Sequence, residues 1–215
     1  MLIAINPQNP DIQLLQQAAR VVHQGGIVIY PTETFYGMAA DYQNPQAIER
    51  LLQLKGRGSQ QTLPLILSQC QDMELLAPSS AISNQLIELT ESYWPGPLTL
   101  ILAALSDLHP ALCSAPLQPD GESGVAMRIS PHAVANGLAL CVDHPITSTS
   151  ANLTGHSPAA KTEDIDPLLL SSAEMILDAG PCPGRLPSTI IDTRQKLPFK
   201  IIRQGAIKLP AHLAI

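Results

Sequence analysis

The sequence predicts an α/β domain with a β-sheet of mixed strand direction. Short apolar runs, typical of buried strands, alternate with segments whose apolar residues recur every three to four positions, as in helices that bury one face. Some strands follow one another with no helix between them, which favours antiparallel as well as parallel neighbours. The 20 prolines among 215 residues fall between the apolar runs and mark loops. A chain of this length is expected to form one domain.

The first predicted unit is a helix followed by a strand. Asp11 stands where a helix cap is expected, and Gly25 and Gly26 end the helix. Residues 27–30 are rich in β-branched side chains and predict a buried strand. The helix buries one apolar stripe, which consists of Leu14, Leu15, Ala18, Val21 and Val22.

The rest of the chain continues this alternation. Asn44 followed by Pro45 is typical of a helix start. Further helices are predicted over about residues 45–54, 82–93 and 132–140, and after Thr162. Strands are predicted over residues 63–67, 98–102 and 125–129, over a short run that ends at residues 148–150, and near Ile176, Ile190 and Ile201.

Composition and charge narrow the class of protein. Apolar residues make up 45% of the chain and charged residues 14%, which indicates a globular protein. The formal net charge of −6 argues against a generic binder of nucleic-acid backbones, although a local basic pocket stays open. No signal peptide and no apolar run of roughly 20 residues is present, so a soluble, cytoplasmic protein without a membrane partner is expected.

Several common motifs are missing from the sequence. The four cysteines lie far apart and form no C-x-x-C or Cys/His pair at zinc spacing, so reduced thiols and no protein-bound metal are expected. Neither the G-x-x-x-x-G-K-[ST] phosphate loop nor G-x-G-x-x-G occurs. A nucleotide would therefore bind in a less common mode.

Two polar clusters follow apolar elements in the first third of the chain. Residues 31–37, PTETFYG, come directly after the first strand, where α/β folds place ligands; the alternative is a Ser/Thr turn that satisfies its own backbone. Lys55 and Arg57 flank a glycine at a helix end. Two such cations suit a polyphosphate, but cations there also complement the helix dipole.

Two more clusters lie in the second half. Residues 148–152, STSAN, offer hydroxyls and an amide that can hold phosphate oxygens or a ribose. Ser150 is not expected to be a nucleophile, because no G-x-S-x-G elbow surrounds it. The last cluster is scattered over Arg128, residues 187–189 and residues 203–205. Arg128 lies in an apolar strand and needs an anion, and from the strand alone an internal carboxylate is favoured over a bound ligand.

In this order and spacing the clusters resemble those of the threonylcarbamoyl-AMP synthases, which have a YrdC-like domain. Each motif alone is weak, but together in this order they are specific. In chain order the matching segments are PTETFYG for P-T-[DE]-T-x-Y-G, KGR for K-x-R, WPGPLTLIL, VAMRIS, STSANLTG with SAN for S-x-N, PSTIID and the final RQG. The resemblance covers about residues 13–207. It implies a single domain over residues 1–215, in the short form that lacks the family's extra C-terminal domain.

The resemblance implies a fold and a reaction. The fold is a single YrdC-like domain, a twisted mixed β-sheet surrounded by helices, with a concave, positively charged cleft. The reaction is that of a nucleotidyltransferase: L-threonine, bicarbonate and ATP, which brings Mg²⁺, give threonylcarbamoyl-AMP and pyrophosphate. A tRNA threonylcarbamoyl-transfer complex then accepts the product and modifies adenosine 37 of tRNA.

The resemblance also implies two groups of site residues. Threonine would be bound by Thr34, Arg128 and Ser148, with Arg128 pairing its carboxylate. The catalytic cluster around the nucleotide and its phosphates would be Lys55, Arg57, Ser150 and Asn152. Ser188 and Arg203 would add further ATP contacts.

The sequence departs from the family pattern at one place, and three alternatives to the synthase function stay open. Residues 58–62 replace the proline and short loop that usually follow K-x-R, so no role is assigned there. One alternative is a non-synthase paralogue with the same fold. Another is a carbamoyltransferase module of the hydrogenase-maturation type, whose zinc-finger-like cysteines are missing here. The third is an RNA-binding or ribosome-assembly protein; the negative net charge weighs against it, but weak RNA binding stays open.

Overall fold

Strands and short helices alternate along the chain in the computed structural model, which describes residues 1–56, 62–116, 121–184 and 186–215. The α-helices are α1 (Ile12–His23), α2 (Pro45–Leu54), α3 (Asn84–Tyr93), α4 (Ala133–Val142) and α5 (Pro167–Ser172). The strands are β1 (Leu2–Ala4), β2 (Val28–Tyr30), β3 (Gly37–Ala39), β4 (Leu65–Leu67), β5 (Leu98–Ala103), β6 (Cys113–Ser114), β7 (Gly124–Ile129), β8 (Ile146–Thr147), β9 (Thr149–Ser150), β10 (Met175–Asp178), β11 (Thr189–Asp192) and β12 (Lys200–Arg203). Turns of 3-10 helix cover Cys70–Leu75, Ser79–Ala81, Pro110–Leu112 and Thr162–Asp164.

The strands form two sheets, and each sheet is mixed. The first has the order β1-β10-β2-β3-β9, in which β1, β10 and β2 are parallel and the other pairs are antiparallel. The second has the order β12-β11-β5-β7-β4-β8, with parallel pairs β11–β5 and β7–β4, and β6 pairs with β7. The predicted mixed α/β fold is confirmed, and its strands are divided between these two sheets.

Two clusters of buried side chains hold the sheets and helices together. One joins both sheets, with Ile29 and Met38 from the first and Leu65 and Met127 from the second. The other packs α1 and α4 against the opposite faces of β2 and β4. Because β2 and β4 are covered on both faces, their sequences read as unbroken apolar runs.

The predicted caps of α1 and α2 are present, and α4 has a further cap that was not predicted. The Asp11 carboxylate accepts a hydrogen bond from the backbone N–H of Gln13 at 2.8 Å, and the Asn44 side chain accepts from two N–H groups of the first turn of α2. His132 caps α4 in the same way, through Nδ1 and the N–H of Val134 at 3.3 Å. Such caps satisfy donors that a helix start leaves without an intrahelical partner.

The two sheets meet at Ser148. It lies between β8, which pairs with β4 of the second sheet, and β9, which pairs with β3 of the first. The backbone N–H of Ser148 donates to the carbonyl of Pro64 at 2.7 Å. The chain therefore crosses between the sheets inside the STSAN segment and opens a cleft there. Within the described ranges, no helix is long and apolar enough to cross a membrane.

Candidate active site

A cleft of about 530 Å³ opens where the two sheets meet. Its described lining gathers residues from three of the four sequence clusters, which lie far apart along the chain. Its described lining includes seven of the nine predicted site residues, namely Thr34, Arg128, Ser148, Ser150, Asn152, Ser188 and Arg203. The structure therefore brings the two predicted groups of site residues into one site.

The PTETFYG segment forms one wall of the cleft through its threonines. Thr32 Oγ1 accepts from the N–H of Thr34 at 3.1 Å and donates to the carbonyl of Phe35 at 2.7 Å. This is the Ser/Thr turn that the sequence left open as the structural alternative. Thr34 itself lines the cleft and is nearly buried. The turn therefore presents a hydroxyl to the cleft.

The backbone of Thr34 is in close contact with Gly184. A Cβ on Gly184 would lie 2.1 Å from the carbonyl oxygen of Thr34, so a larger residue there would displace the segment. Tyr36, two residues on, is buried and donates its hydroxyl to the carbonyl of Gly180 at 2.7 Å. Burial raises the pKa of Tyr36, so the phenol stays protonated and acts as an anchor.

Arg128 lines the cleft and has an internal partner. Its Nη1 is 2.5 Å from Oε1 of Glu33, and the other carboxylate oxygen accepts from the hydroxyl of Ser130. The side chains of Arg128 and Glu33 are 8% and 11% exposed. The internal carboxylate that the strand pattern favoured is thus present, whereas the contact of Arg128 with threonine stays a prediction.

Arg203 lies in the same cleft, at the end of β12. Its Nε and Nη2 donate to the carbonyl of Ser188, and Nη2 also donates to Ser188 Oγ. Burial lowers the pKa of Arg203, and the positive charge of Arg128 lowers it further. An anion bound in the cleft would offset the repulsion that Arg203 feels from Arg128. The predicted positive charge of the whole cleft stays a prediction.

The glycine of the final R-x-G motif, Gly205, is required for steric reasons. A Cβ on Gly205 would lie 2.2 Å from the carbonyl oxygen of Pro187, and the N–H of Gly205 donates to Thr189 Oγ1 at 3.0 Å. Only glycine allows the chain after Arg203 to pack this closely on the segment that carries Ser188. The motif therefore keeps the two side chains together.

Lys55 is buried rather than extended into solvent. It lies just after α2 and is 1% exposed, and its ammonium donates to the carbonyl of Ser150. Its own carbonyl accepts from both the N–H and the hydroxyl of Thr154, at 3.1 and 2.8 Å. Lys55 therefore ties the end of α2 to the STSAN segment. Arg57 and residues 58–61 lie outside the described residues.

Asn152 and Thr149 each carry a buried oxygen that lacks a hydrogen-bond partner in the part of the chain described. Asn152 Nδ2 donates to the carbonyls of Leu153 and His156, at 2.9 and 2.7 Å, which fixes the orientation of the amide. Asn152 Oδ1 and Thr149 Oγ1 are the two unpartnered atoms, and both residues line the cleft. Unsatisfied buried polar atoms are uncommon and often mark binding sites.

Sequence reasoning missed two residues of this site. Glu33 was seen only as part of its motif, and Ser130 was not singled out. A signal for Ser130 was available, since residues 128 and 130 lie on the same side of an extended strand. Glu33 had no such signal, because its partner lies 95 residues away in sequence.

The chemistry of the cleft defines a class of site. It offers two guanidinium groups, several hydroxyls and an amide oxygen, and no group of three metal-ligating side chains occurs among the residues described. Such a site suits binding and alignment of anionic ligands better than attack by a protein nucleophile. The fold and cleft thus define an α/β domain with a polar cleft that contains two arginines.

Comparison with known proteins identifies the family. The family model named Sua5_yciO_yrdC, described as telomere recombination, matches residues 20–205. A protein of Xylella fastidiosa (strain M12) named threonylcarbamoyl-AMP synthase is 34% identical over 182 residues, which cover 84% of this chain and 93% of that protein. The chain belongs to the Sua5/YciO/YrdC family.

Solved structures agree with this assignment. Sua5 of P. abyssi, in a crystal structure of its complex with L-threonine, is 27% identical, with a TM-score of 0.84 over 95% of this chain. A variant of the same protein is 28% identical, with a TM-score of 0.86 over 97% of this chain. The chain spans 57% and 62% of those two chains. E. coli YciO, at 24% identity and a TM-score of 0.84, matches over 99% of both chains and supports the fold.

Proposed function

We propose that this chain is a threonylcarbamoyl-AMP synthase, a nucleotidyltransferase that converts L-threonine, bicarbonate and ATP to threonylcarbamoyl-AMP and pyrophosphate. The observation that carries the proposal is the convergence of Arg128 and Arg203 on one hydroxyl-lined cleft. The name of the Xylella relative and the L-threonine complex of P. abyssi Sua5 support it. The residues of K-x-R and S-x-N, on which the resemblance depends, are intact in this sequence.

The reaction needs charge neutralisation and alignment more than acid–base catalysis. The amine of threonine and bicarbonate form a carbamate with loss of one water, and this carbamate is already an anion at neutral pH. A carbamate oxygen attacks the α-phosphorus of ATP, a P–O bond forms, and the bond to the β-phosphate breaks with release of pyrophosphate. Arginine side chains, and the Mg²⁺ that arrives with ATP, can offset the charge of these groups.

The residues divide into two groups in the proposal. Thr34, Arg128 and Ser148 bind threonine, with the carboxylate on Arg128. Lys55, Arg57, Ser150, Asn152, Ser188 and Arg203 bind and align the ATP.

The contacts refine two of these roles. Because the ammonium of Lys55 is bound to the carbonyl of Ser150, Lys55 orients the STSAN segment as well as adding charge. Asn152 presents an acceptor oxygen, so it suits a ligand N–H, a hydroxyl or a cation rather than a phosphate oxygen. We therefore assign Asn152 to the ribose or to the Mg²⁺ of the nucleotide.

The product implies a partner. Threonylcarbamoyl-AMP is a reactive mixed anhydride and has to be consumed by a second enzyme. We propose that a tRNA-modifying transfer complex accepts it in the cytoplasm, as the family resemblance implies.

The proposed function is tested by the substrate dependence of pyrophosphate release from the purified chain. Release from ATP is expected to require L-threonine and bicarbonate together. Serine, which lacks the methyl group, and valine, which lacks the hydroxyl, are the matched control amino acids. Equal release with these two, or with threonine omitted, would contradict the assignment of the substrate.

A further inference from the structure

The segment 31–34 separates two cavities. Thr32 and Thr34 line the cleft, whereas Pro31 and Glu33 line a second cavity of about 540 Å³. Successive residues thus face opposite sides of the segment. Glu33 approaches Arg128 from behind the cleft, although Arg128 itself lines the cleft.

Both oxygens of the Glu33 carboxylate are engaged. Oε1 accepts from Nη1 of Arg128, and Oε2 accepts from the hydroxyl of Ser130. Ser130 Oγ in turn accepts from the backbone N–H of His132 at 3.2 Å, at the start of α4. The carboxylate is therefore held by the end of β7 and the start of α4, and it holds one edge of the guanidinium.

We propose that Glu33 is a positioning residue for Arg128. It fixes the guanidinium so that the N–H groups that do not contact Glu33 face the cleft, where a substrate carboxylate binds. Glu33 does not itself line the cleft and makes no contact with substrate. The proposal rests on the proposed function, because it takes the threonine carboxylate as the ligand of Arg128.

The geometry of the Arg128 guanidinium supports a positioning role for Glu33. Arg128 is almost buried, and a guanidinium has five N–H donors in a planar fork, of which the described hydrogen bonds use Nη1 alone. A carboxylate fixed at both oxygens stops rotation of that fork. The other edge of the fork is then prepared to receive a second carboxylate in the two-point geometry that arginine favours. Without Glu33 the fork would lose its orientation before the substrate arrives.

Glutamine at position 33 separates orientation from charge. In Glu33→Gln the amide oxygen can still accept from Arg128, and the amide N–H can donate to Ser130 Oγ. The negative charge is lost, but the geometry is kept. In Glu33→Ala both are lost.

Steady-state kinetics of the full chain test the proposal. We expect Glu33→Ala to raise the KM for threonine on the order of 10- to 100-fold, with the KM for ATP nearly unchanged. Glu33→Gln is expected to stay close to wild type. In an Arg128→Ala background, Glu33→Ala is expected to add nothing to the threonine KM. Ser130→Ala, which releases one oxygen of Glu33, should raise the threonine KM by a smaller factor and keeps the test available if Glu33→Ala does not fold.

A second measurement is independent of the reaction. In NMR spectra of the apo protein, a guanidinium held by a carboxylate gives separate Nη–H signals, because rotation about its C–N bonds is slow. We expect separate signals for Arg128 in the wild type and in Glu33→Gln, and averaged signals in Glu33→Ala. The NMR result does not depend on turnover. If the wild type showed no threonine-dependent turnover, the proposed function would be overturned, but the NMR evidence for positioning of Arg128 would stand.

Two outcomes would overturn the positioning role itself. One is that Glu33→Ala loses thermal stability but keeps the wild-type threonine KM and the separate Arg128 signals. If Glu33→Ala does not fold, the same result in Ser130→Ala would count in its place. The other is an equal rise in threonine KM for Glu33→Gln and Glu33→Ala, since charge rather than orientation would then be the cause.

Discussion

Arg203 donates hydrogen bonds to both oxygens of Ser188. Nε and Nη2 lie 3.1 and 2.9 Å from the carbonyl oxygen, and Nη2 lies 3.1 Å from the hydroxyl. Ser188 Oγ is also 2.8 Å from the hydroxyl of Thr99 on β5. Arginine, serine and threonine thus form one hydrogen-bonded unit along the cleft. This unit joins the edge strand β12 to the centre of the second sheet.

Arg203→Lys is expected to weaken ATP binding while the fold survives. A lysine ammonium is a point charge and lacks the planar fork that contacts both oxygens of Ser188. We expect a loss of about 2 kcal/mol in kcat/KM for ATP, or about 30-fold. Steady-state kinetics with varied ATP measure this. Lys200→Ala, on the same strand but outside the lining of the cleft, is the matched control, and an equal loss in that variant would contradict a specific role for Arg203.

Lys55→Met is expected to reduce both stability and activity. Methionine can fill the space of the buried alkyl chain, but it leaves the carbonyl of Ser150 without its charged donor. That carbonyl still accepts from the N–H of Asn152 at 2.9 Å, so the cost is that of losing a hydrogen bond to a charged group, about 1.5–3 kcal/mol. Thermal denaturation and turnover should both show the loss. Lys161→Met provides the control, because its ammonium lies in an exposed pair 3.8 Å from Asp164 and its removal should change neither value. A stable, active Lys55→Met enzyme would show that the anchor is dispensable.

Arg128→Ala is expected to destabilise the apo protein as well as weaken threonine binding. The change leaves the carboxylate of Glu33 nearly buried without its cation, and breaking such a pair typically costs about 3–5 kcal/mol. Chemical denaturation of the apo variant measures this. In the double variant with Glu33→Gln, part of the loss should be recovered, because no unpaired charge remains. An apo variant as stable as wild type would contradict the internal pair.

The stability of the protein is expected to fall below neutral pH through His132. Burial lowers the pKa of His132 in the folded protein below its ordinary value of 6.5, and the nearby Glu33 carboxylate offsets part of this effect. The unfolded chain therefore takes up a proton first as the pH falls through about 6.5, which favours unfolding. Protonation of Nδ1 would also remove the acceptor that caps α4.

His132→Asn isolates this effect, since asparagine caps helices well and does not titrate. We expect the melting temperature of the wild type to fall more steeply than that of the variant between pH 7.5 and pH 5. Equal slopes in the two proteins would show that His132 does not contribute.

The sequence predicts the local elements well and the long-range pairing poorly. Asp11 and Asn44 cap helices as their spacing indicates, because capping depends on neighbours within three residues. Strand β3, Gly37–Ala39, has no strand pattern of its own, and its pairing with β2 and β9 decides its conformation. The division into two sheets follows from the crossing at Ser148, which no local signal marks.

The same distinction holds for the candidate site. Thr34, Ser150 and Arg203 were found as motif residues and do lie in the cleft. The burial of Lys55 against Ser150 and the pairing of Arg128 with Glu33 each span 95 residues of sequence. Partners so distant are set by the fold, and a single sequence carries no trace of them.

The most direct test of the account is mass spectrometry of a reaction containing the purified chain, ATP and Mg²⁺, L-threonine and ¹³C-bicarbonate. The proposed reaction predicts a product with the mass of threonylcarbamoyl-AMP that carries one ¹³C atom from bicarbonate and appears with an equal amount of pyrophosphate. The product should be greatly reduced in Arg203→Lys and retained in Lys200→Ala. Pyrophosphate or AMP formed without a labelled threonylcarbamoyl product would contradict the account.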